Sequence, residues 1–264
     1  MSLFDFNAAI VREPGRSVVD GLRAGDHAGP DYEGVASEHT RYVAALREAG
    51  LEVEALSALE AFPDSVFVED PALVFAEGAI LLRPGAPSRL GEADAIEPVL
   101  RRRFERVERL PRGFADGGDV LVTPEAVLIG LSGRTDREGA RALAELLAGF
   151  GRAARVVRPP REALHLKSAC AMVEEDTVLA TPAMARSGLL GGLRILEVHD
   201  DEPAAANVLR VNDRVLAGAG YPRTLERLAA RGLSVVPLPV AEFARLDAGL
   251  SCMSLRWKRD VAEA

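Results

Sequence analysis

Acids, a histidine and a cysteine stand just before predicted strands at separate places in the sequence. "LSCMS" contains Cys252, "LHLKS" contains His165, and "FADGGDVLV" contains Asp116 and Asp119. A thiolate can attack a planar electrophilic carbon, a histidine can protonate a departing amine and then activate water, and an acid can orient the histidine. If the fold brings these side chains together, they have the chemistry of a cysteine-dependent hydrolase.

The acids and arginines of three further stretches indicate what such a site would bind. "FPDSVFVEDP" presents Asp64, Glu69 and Asp70, and several carboxylates in one site favour a cationic substrate, for which a planar guanidinium is the best geometric match. Arg89 in "PGAPSRLGE" and Arg134 in "LSGRTD" could hold a carboxylate at the other end of the substrate. Together these groups describe a pocket for an arginine-like amino acid.

Each of these residues also has an ordinary structural interpretation. Acids before strands commonly form turns or caps, which applies to Asp64 and to Asp119, and the glycines of "DGGD" permit a tight turn. A histidine between leucines is often structural, and a cysteine in an apolar strand is usually inert, as we expect for Cys170 in "KSACAMV". Only the combination of all the stretches favours a catalytic interpretation.

The elements that must position these residues form a repeat. Four pairs of β-rich runs, each with a short acidic turn, are predicted as hairpins. They are "ALVFAEGAILLRPG", "DVLVTPEAVLIGLSG", "CAMVEEDTVLATP" and "NVLRVNDRVLAGAG". By subtraction, the turn acids Glu77, Glu125, Glu175 and Asp213 follow one another at intervals of 48, 50 and 38 residues. Such a period is typical of propellers and other repeat arrays.

Amphipathic helices are predicted between the hairpins, which makes the unit strand, strand, helix, strand. They are "EADAIEPVLRRRFERV", "REGARALAELLAGFG", "PRTLERLAARG" and "SEHTRYVAALREAG", the last with Ser37 as the predicted N-cap. Three of the four end at glycine, where a C-cap is expected. The basic run "RRRFERVER" (101–109) is interpreted as a solvated face of the first of these helices, because acids interleave it at helical spacing.

A fifth unit could form from the two ends of the sequence, with strands in "NAAIVREPG" and "LSCMSLRW". Closing the array into a ring would remove the sheet edges that an open array exposes. In such a pseudosymmetric ring, the stretches before the first strands of successive units would converge near the axis. Asp64 and Cys252 could then share one pocket despite their separation in sequence.

Composition limits the class of protein. The 264 residues are 48% hydrophobic and 27% charged, which suits a water-soluble globular chain of one or two domains. The formal net charge of −8 argues against attraction to nucleic acid or anionic lipid. No apolar run has membrane-spanning length and no signal peptide is recognisable, so we expect a cytoplasmic protein with free thiols. The four histidines, His27 among them, are scattered, and no metal site is predicted.

In order along the chain, "PDSVFVEDPALV", "RPGAPSR", "DGGDVLV", "GLSGRT", "LHLKSACAM" and "GLSCMS" resemble the dimethylarginine dimethylaminohydrolases, from about Leu22 to Cys252. The resemblance implies one α/β domain over residues 1–264, a five-bladed pseudosymmetric α/β-propeller of ββαβ repeats. It also implies hydrolysis of Nω-methylated arginine to citrulline and a methylamine through a covalent thiouronium on cysteine. Neither a metal nor an organic cofactor is implied.

The resemblance also implies the role of each site residue. Cys252 would be the nucleophile, His165 the general acid and base, and Asp116 its acidic partner. The substrate-binding residues would be Leu22, Asp64, Glu69, Asp70, Arg89, Arg134 and Leu246, with the three acids on the guanidinium side and the two arginines on the α-carboxylate. Leu22 and Leu246 would act through their backbones, and the loop at residues 24–35 would help to cover the pocket.

Two alternatives to this function remain. Arginine deiminase or another guanidine hydrolase could use the same scaffold, although deiminases usually carry a helical insertion for which this chain has little room. A non-catalytic arginine-binding propeller is the second alternative, but a pure binder needs no thiol. A homodimer through an exposed helix face is one assembly that the sequence allows.

Overall fold

Five small sheets, each of three strands, form the β-structure of the computed structural model, which describes residues 2–24 and 28–259. Four of the sheets follow one another along the chain. Their strands are β3 (Ala72–Phe75), β4 (Gly78–Leu81) and β5 (Val107–Arg109); β6 (Val120–Val122), β7 (Val127–Gly130) and β8 (Ala154–Val157); β9 (Cys170–Glu174), β10 (Thr177–Ala180) and β11 (Arg194–Glu197); and β12 (Leu209–Val211), β13 (Arg214–Gly218) and β14 (Ser234–Leu238).

Each of these sheets has the same topology. Its first two strands form an antiparallel hairpin and its third strand pairs parallel to the second. A parallel pair needs a crossover connection, and an α-helix supplies it in all four sheets. The four predicted hairpins and the repeated unit are therefore confirmed.

The fifth sheet joins segments from opposite ends of the sequence. β15 (Leu255–Trp257) pairs antiparallel with β1 (Ala8–Arg12), with Ile10 opposite Leu255, and β1 pairs parallel with β2 (Glu52–Leu56). β1 is buried at every position, so both of its edges and both of its faces are covered. The predicted fifth unit is thus present, with the hairpin replaced by a pairing of distant strands.

Six α-helices occur among the described residues: α1 (Tyr32–Glu48), α2 (Glu92–Arg103), α3 (Arg137–Gly149), α4 (Pro182–Arg186), α5 (Pro222–Ala230) and α6 (Ala241–Ala244). The predicted Ser37 cap of α1 is wrong, because Asp31 caps this helix by accepting a hydrogen bond from Gly34 N at 2.9 Å. Glycines in left-handed conformation follow α1, α3 and α5, as expected, at Gly50, Gly151 and Gly232. None of the helices in the described part of the chain has both the length and the apolar character needed to cross a membrane.

The basic run 101–109 differs from its predicted structure. α2 ends at Arg103, and the run continues into β5, which pairs with β4. Its arginines bind acids of the same chain, with Arg101 Nη2 at 2.6 Å from Glu97 and Arg103 Nη2 at 2.8 Å from Glu54. The interpretation of the whole run as one helix face is therefore wrong, because strand pairing overrides the helical spacing of its charges.

The inner strands of all five sheets meet around one cavity. β3, β6, β9, β12 and β15 each contribute lining residues to this space of about 290 Å³. The turns that precede these strands lie at their N-terminal ends, and four of the turns contain a short 3₁₀ helix: Gly117–Asp119, Leu166–Ser168, Pro203–Ala206 and Leu250–Met253. The fold thus brings together the pre-strand stretches that carry the candidate site residues.

Candidate active site

Hydrogen bonds connect the pre-strand turns of different sheets. They join Gly118 N to Asp70 Oδ1 at 2.9 Å, Leu166 N to Asp119 Oδ1 at 2.9 Å, Ser251 N to Asn207 Oδ1 at 3.1 Å and Glu69 N to the carbonyl of Cys252 at 3.1 Å. Asn207 was not recognised in the sequence, although it occupies the pre-strand position of the fourth repeat. Because each turn is held by another, the side chains at the strand ends form one site.

His165 and Asp116 form a hydrogen-bonded pair in this site. His165 Nε2 lies 3.2 Å from Asp116 Oδ2, and Asp116 is fully buried, its Oδ1 accepting a hydrogen bond from Gly85 N at 2.7 Å. Burial by itself lowers the pKa of His165, but the hydrogen bond that its Nε2 donates to Asp116 and the charges of Asp70 and Asp119 outweigh burial and raise the pKa to about 9. The imidazole therefore carries a proton at neutral pH, as a general acid must.

Gly118 fixes the position of the imidazole ring. A Cβ atom at this residue would lie 2.8 Å from His165 Nδ1 and 3.0 Å from Asp70 Oδ1, closer than carbon atoms normally approach. Only glycine leaves the ring where Asp116 holds it. This close packing gives a physical reason for the second glycine of "DGGD".

Cys252 lies in the 3₁₀ turn before β15 and is partly exposed. Desolvation and then the negative charges of Glu69 and Asp70 raise the pKa of its thiol to about 12, against a smaller opposite effect of Lys167. The thiol is consequently neutral at pH 7 while the site is empty. A positive charge placed against the two acids would favour the thiolate.

Cys170 has a different environment. It is fully buried in β9, and its Sγ donates to the carbonyl of Leu166 at 3.4 Å. Burial raises the pKa of this thiol to about 12. No carboxylate, histidine or open space accompanies it among the described neighbours, which agrees with the inert role expected from the sequence.

Glu69 is held at the base of the site by two cations that were not recognised in the sequence. Its Oε1 lies 2.6 Å from Lys167 Nζ and 3.1 Å from Arg256 Nη2, whereas its buried Oε2 has no hydrogen-bond partner among the described residues. Lys167 belongs to "LHLKS", two residues after His165, so its position beside the site could have been predicted from the sequence. Glu69 Oε2 can therefore accept a hydrogen bond from a ligand that binds in the site.

Arg89 is placed differently from the expectation. Its Nε and Nη2 donate to the two oxygens of Glu92 at 2.9 and 2.7 Å, and its Nη1 donates to Asp70 Oδ2 at 2.5 Å. Nη2 also bonds to the carbonyls of Asp64 and Phe67. The two parallel N–H donors of Arg89, which we expected to bind a substrate carboxylate, bind Glu92 instead. Glu92 is the first residue of α2, three residues after Arg89, so its carboxylate lies beside the guanidinium. Arg89 thus holds Asp70 in place and has at most one free N–H.

Arg134 keeps its guanidinium free of the described residues. It is half-buried, and its side chain forms no hydrogen bond or ion pair with the described residues. It lies close enough to Asp64 to lower the pKa of that carboxyl, although burial raises it overall. Asp64 Oδ1 accepts a hydrogen bond from Leu22 N at 3.0 Å, and a Cβ at Gly21 would lie 3.0 Å from Leu246. The structure therefore brings Leu22, Asp64 and Leu246 together near Arg134.

A crevice of about 610 Å³ opens beside the Leu250–Met253 turn that contains Cys252. Ser168, Asp247 and Gly249 are among its lining residues. Asp247 has a positive φ of 54°, and its carboxylate accepts a hydrogen bond from Ala24 N. This contact attaches the start of the loop 24–35 to the rim of the site. The middle of that loop, with His27, lies outside the described residues.

Asp70, Asp116 and His165 bring one potential metal-ligand atom each within 4.8 Å of the others. The sequence did not anticipate this grouping, since it looked for ligands at local spacing. Arg89, Gly118 and Gly85 already donate to the two carboxylates, and the histidine is protonated at neutral pH. This charge pattern suits a cationic imidazole between acids better than a bound cation.

Comparisons with known proteins agree with this geometry. A family model described as arginine deiminase matches residues 58–217. A Pseudomonas aeruginosa protein named N(G),N(G)-dimethylarginine dimethylaminohydrolase is 39% identical over 254 residues, which cover 96% of this chain and 100% of the relative.

Two solved structures resemble this chain in sequence and fold to the same degree. A cysteine-to-serine mutant of the Pseudomonas aeruginosa enzyme, complexed with citrulline, matches with a TM-score of 0.92 at 39% identity, covering 96% of this chain and 100% of that one. A histidine-to-glycine form of dimethylarginine dimethylaminohydrolase, as an adduct with S-methyl-L-thiocitrulline, has a TM-score of 0.92 at 39% identity and covers 95% of this chain and 99% of that one. With sequence and fold matching over nearly its whole length, this chain belongs to the dimethylarginine dimethylaminohydrolase family of the amidinotransferase superfamily.

Proposed function

We propose that this protein hydrolyses Nω-methylated arginine, either asymmetric dimethylarginine or monomethylarginine, to citrulline and a methylamine. The observation that carries the proposal is the protonated His165–Asp116 pair in one site with Cys252 and the acids Glu69 and Asp70. The citrulline complex and the thiocitrulline adduct of the similar enzymes support the same substrate class and a covalent cysteine route.

The substrate's guanidinium would lie against the acids next to Cys252. Glu69 Oε2 would accept from it, and Asp70 is held by Arg89 and Gly118 with its charge directed at the same place. At the other end, Arg134 offers a free guanidinium to the α-carboxylate, and Asp64 with the backbones of Leu22 and Leu246 would position the α-amino group.

Binding of the cation would also activate the nucleophile. Burial, and after it the charges of Glu69 and Asp70, raises the pKa of the Cys252 thiol to about 12, and a guanidinium would offset the part that is due to those charges. As the substrate binds, the thiol proton is lost to solvent and the thiolate remains beside the guanidinium carbon. The enzyme would therefore be reactive mainly towards ligands that bring their own positive charge.

The reaction would then proceed in two halves. The Cys252 thiolate forms a bond to the guanidinium carbon, and the imidazolium of His165 gives its proton to the departing methylamine as the C–N bond breaks. The resulting thiouronium is attacked by water, whose proton returns to the neutral His165. As the carbonyl forms and the thiolate is expelled, the remaining hydroxyl proton passes to solvent. Citrulline is released, and the thiolate regains a proton from solvent, which restores the resting thiol. Asp116 orients the imidazole throughout.

Arginine deiminase activity is the alternative, and the match of the arginine deiminase family model favours testing it. The assay supplies asymmetric dimethylarginine and arginine in parallel and identifies the amine that accompanies citrulline. Dimethylamine from the methylated substrate supports the proposal. Ammonia from arginine, without turnover of dimethylarginine, would replace it with a deiminase.

The covalent step has its own test. Cys252→Ser should abolish citrulline formation, because a hydroxyl lacks thiolate character, whereas the buried Cys170→Ser variant should retain most activity. Acid quenching of His165→Gly with dimethylarginine, followed by mass analysis of peptides, should locate an adduct on the fragment that contains Cys252. An adduct on Cys170 would contradict the mechanism.

We further propose that the five sheets form a closed five-bladed α/β-propeller within a single domain at residues 1–264. The common cavity of the inner strands and the β1–β15 pairing support it. A cytoplasmic location and a homodimer without nucleic-acid partners complete the proposal. Gel filtration with light scattering tests the dimer, and cell fractionation tests the location.

A further inference from the structure

Asp119 is fully buried below the site, and the mechanism above gives it no part. Its Oδ2 accepts hydrogen bonds from the hydroxyls of Ser132 at 2.5 Å and Thr135 at 2.7 Å, and its Oδ1 accepts one from Leu166 N at 2.9 Å. The sequence left open whether this acid only forms a turn. Its three donors come from two segments that carry site residues.

The two hydroxyls in turn bind the backbone of site residues. Thr135 Oγ1 accepts a hydrogen bond from Asp116 N at 3.1 Å, and Ser132 Oγ accepts one from Arg134 N at 3.0 Å. Leu166, the third donor, directly follows His165. The carboxylate of Asp119 is thus linked to Asp116 through Thr135 and to Arg134 through Ser132, and it bonds directly to the residue that follows His165.

The direction of these bonds requires a carboxylate. A hydroxyl has one hydrogen, and a backbone N–H can only donate, so Ser132 and Thr135 can accept from Arg134 and Asp116 while giving their own hydrogens to Asp119. An ionised carboxylate only accepts, and therefore matches both hydroxyls and the amide of Leu166 at once. An amide side chain would present an NH₂ to one of these donors and leave a buried group unsatisfied.

We propose that Asp119 is a positioning residue that sets the geometry of both functions of the site, catalysis through Thr135 and substrate binding through Ser132. This inference rests on the proposed function for its kinetic readout. The charge of Asp119 also helps to raise the pKa of His165.

The proposal predicts that the two branches separate kinetically. Thr135→Val removes the acceptor for Asp116 N and should lower kcat about tenfold or more with KM nearly unchanged, as expected when a catalytic group is displaced. Ser132→Ala removes the acceptor for Arg134 N and should raise KM with kcat nearly unchanged. Asp119→Asn should show both effects, and adding Thr135→Val to it should lower kcat little further, because both changes break the same connection.

Thr123→Val is the matched control. Thr123 is also buried, and its hydroxyl donates a hydrogen bond to the carbonyl of Ala126, but it lies at the turn of the β6–β7 hairpin, at the far end from the site. It should lose stability without any change in kcat or KM. If Thr135→Val and Ser132→Ala behave like Thr123→Val, or if Asp119→Asn has wild-type kinetics, the inference is wrong.

A second readout does not depend on turnover. The pKa of His165, followed by NMR of its imidazole, should fall in Thr135→Val because the Asp116 hydrogen bond weakens, and should stay unchanged in Thr123→Val. Absence of citrulline from the wild-type enzyme would reject the proposed function, and the pKa comparison would still decide the role of Asp119. The single hydroxyl variants also decide it if Asp119→Asn does not fold.

Discussion

Cys252 and His165 both hold their protons at neutral pH, for opposite electrostatic reasons. Burial, and after it the charges of Glu69 and Asp70, keeps the thiol neutral, whereas the charges of Asp70, Asp119 and Asp116 favour the positive imidazole against burial. The charge of Asp70 therefore contributes to both protonation states. A cation placed against these acids would favour the thiolate.

The alkaline behaviour follows from the pKa of His165. Because it is raised from 6.5 to about 9 by folding, protonation contributes stability that is fully present below pH 6.5 and is lost as the pH rises through about 9. The free energy of unfolding should fall across this window, and kcat should fall near its upper end as the general acid is lost. Asp116→Asn should move the kcat midpoint to lower pH; an unchanged midpoint would mean that another group controls it.

The two arginines should respond differently to the same substitution. Arg134→Lys removes a free planar donor from the substrate pocket and should raise KM about tenfold or more without loss of stability. Arg89→Lys breaks a buried network with Glu92 and Asp70 and should lower the unfolding midpoint markedly. Steady-state kinetics and thermal unfolding of both variants test this contrast. Equal KM effects with equal stability would show that both arginines bind substrate directly.

At the scale of elements, hairpins were more predictable than caps and ends. The hairpins combine β-rich runs with a turn of fixed length, so both signals are local. Asp31 caps α1, but aspartate and serine are both good N-cap residues, so residue type alone did not distinguish Asp31 from Ser37. The end of α2 depends on the pairing of β5 with β4, which is not a local signal. Cys252, His165 and the candidate acids were found because they precede predicted strands. The binding of Glu92 to Arg89 was not found, because it depends on where α2 begins relative to Arg89.

The 3₁₀ turn Gly117–Asp119 places several site contacts within a few residues, and a Cβ at Gly118 would meet the His165 ring at 2.8 Å. Gly118→Ala should push the His165 ring away from Asp116 and lower kcat about 100-fold, as small misplacements of catalytic groups do. KM should change less, because Arg134 is untouched. Gly220→Ala is the control, since a Cβ there meets no atom within 4 Å. Matching kinetics in the two variants would show that the ring tolerates displacement.

For the whole molecule, the fifth sheet makes distant parts of the chain depend on each other. β15 pairs with β1, and its Trp257 contacts the ring of Phe104, which lies between α2 and β5, at a centroid distance of 5.1 Å. This joining of the ends was predicted from an unpaired strand at each end of the repeat. The exact register was not, because it is set by side-chain packing between segments far apart in sequence.

Trp257→Ala should therefore destabilise the entire protein and not one sheet alone. The residue is 5% exposed, and removing a buried large aromatic side chain costs about 3–5 kcal/mol. Denaturant unfolding followed by fluorescence and by loss of activity should give one coincident, shifted transition. Trp257→Phe should recover part of the loss. A change of no more than about 0.5 kcal/mol, typical of surface substitutions, would place β15 outside the cooperative core.

The β1–β15 pairing also fixes an order of events during synthesis. About 245 residues separate Ile10 from its partner Leu255, so at a typical rate of translation β1 leaves the ribosome about 12 to 50 s before that partner exists. Throughout this delay one edge of β1 is unsatisfied and open to association with other nascent chains or to chaperones. Cys252 emerges just ahead of β15, so the last turn of the candidate site and the partner of the uncovered edge appear almost together. The candidate site is therefore assembled only after nearly the whole chain has emerged.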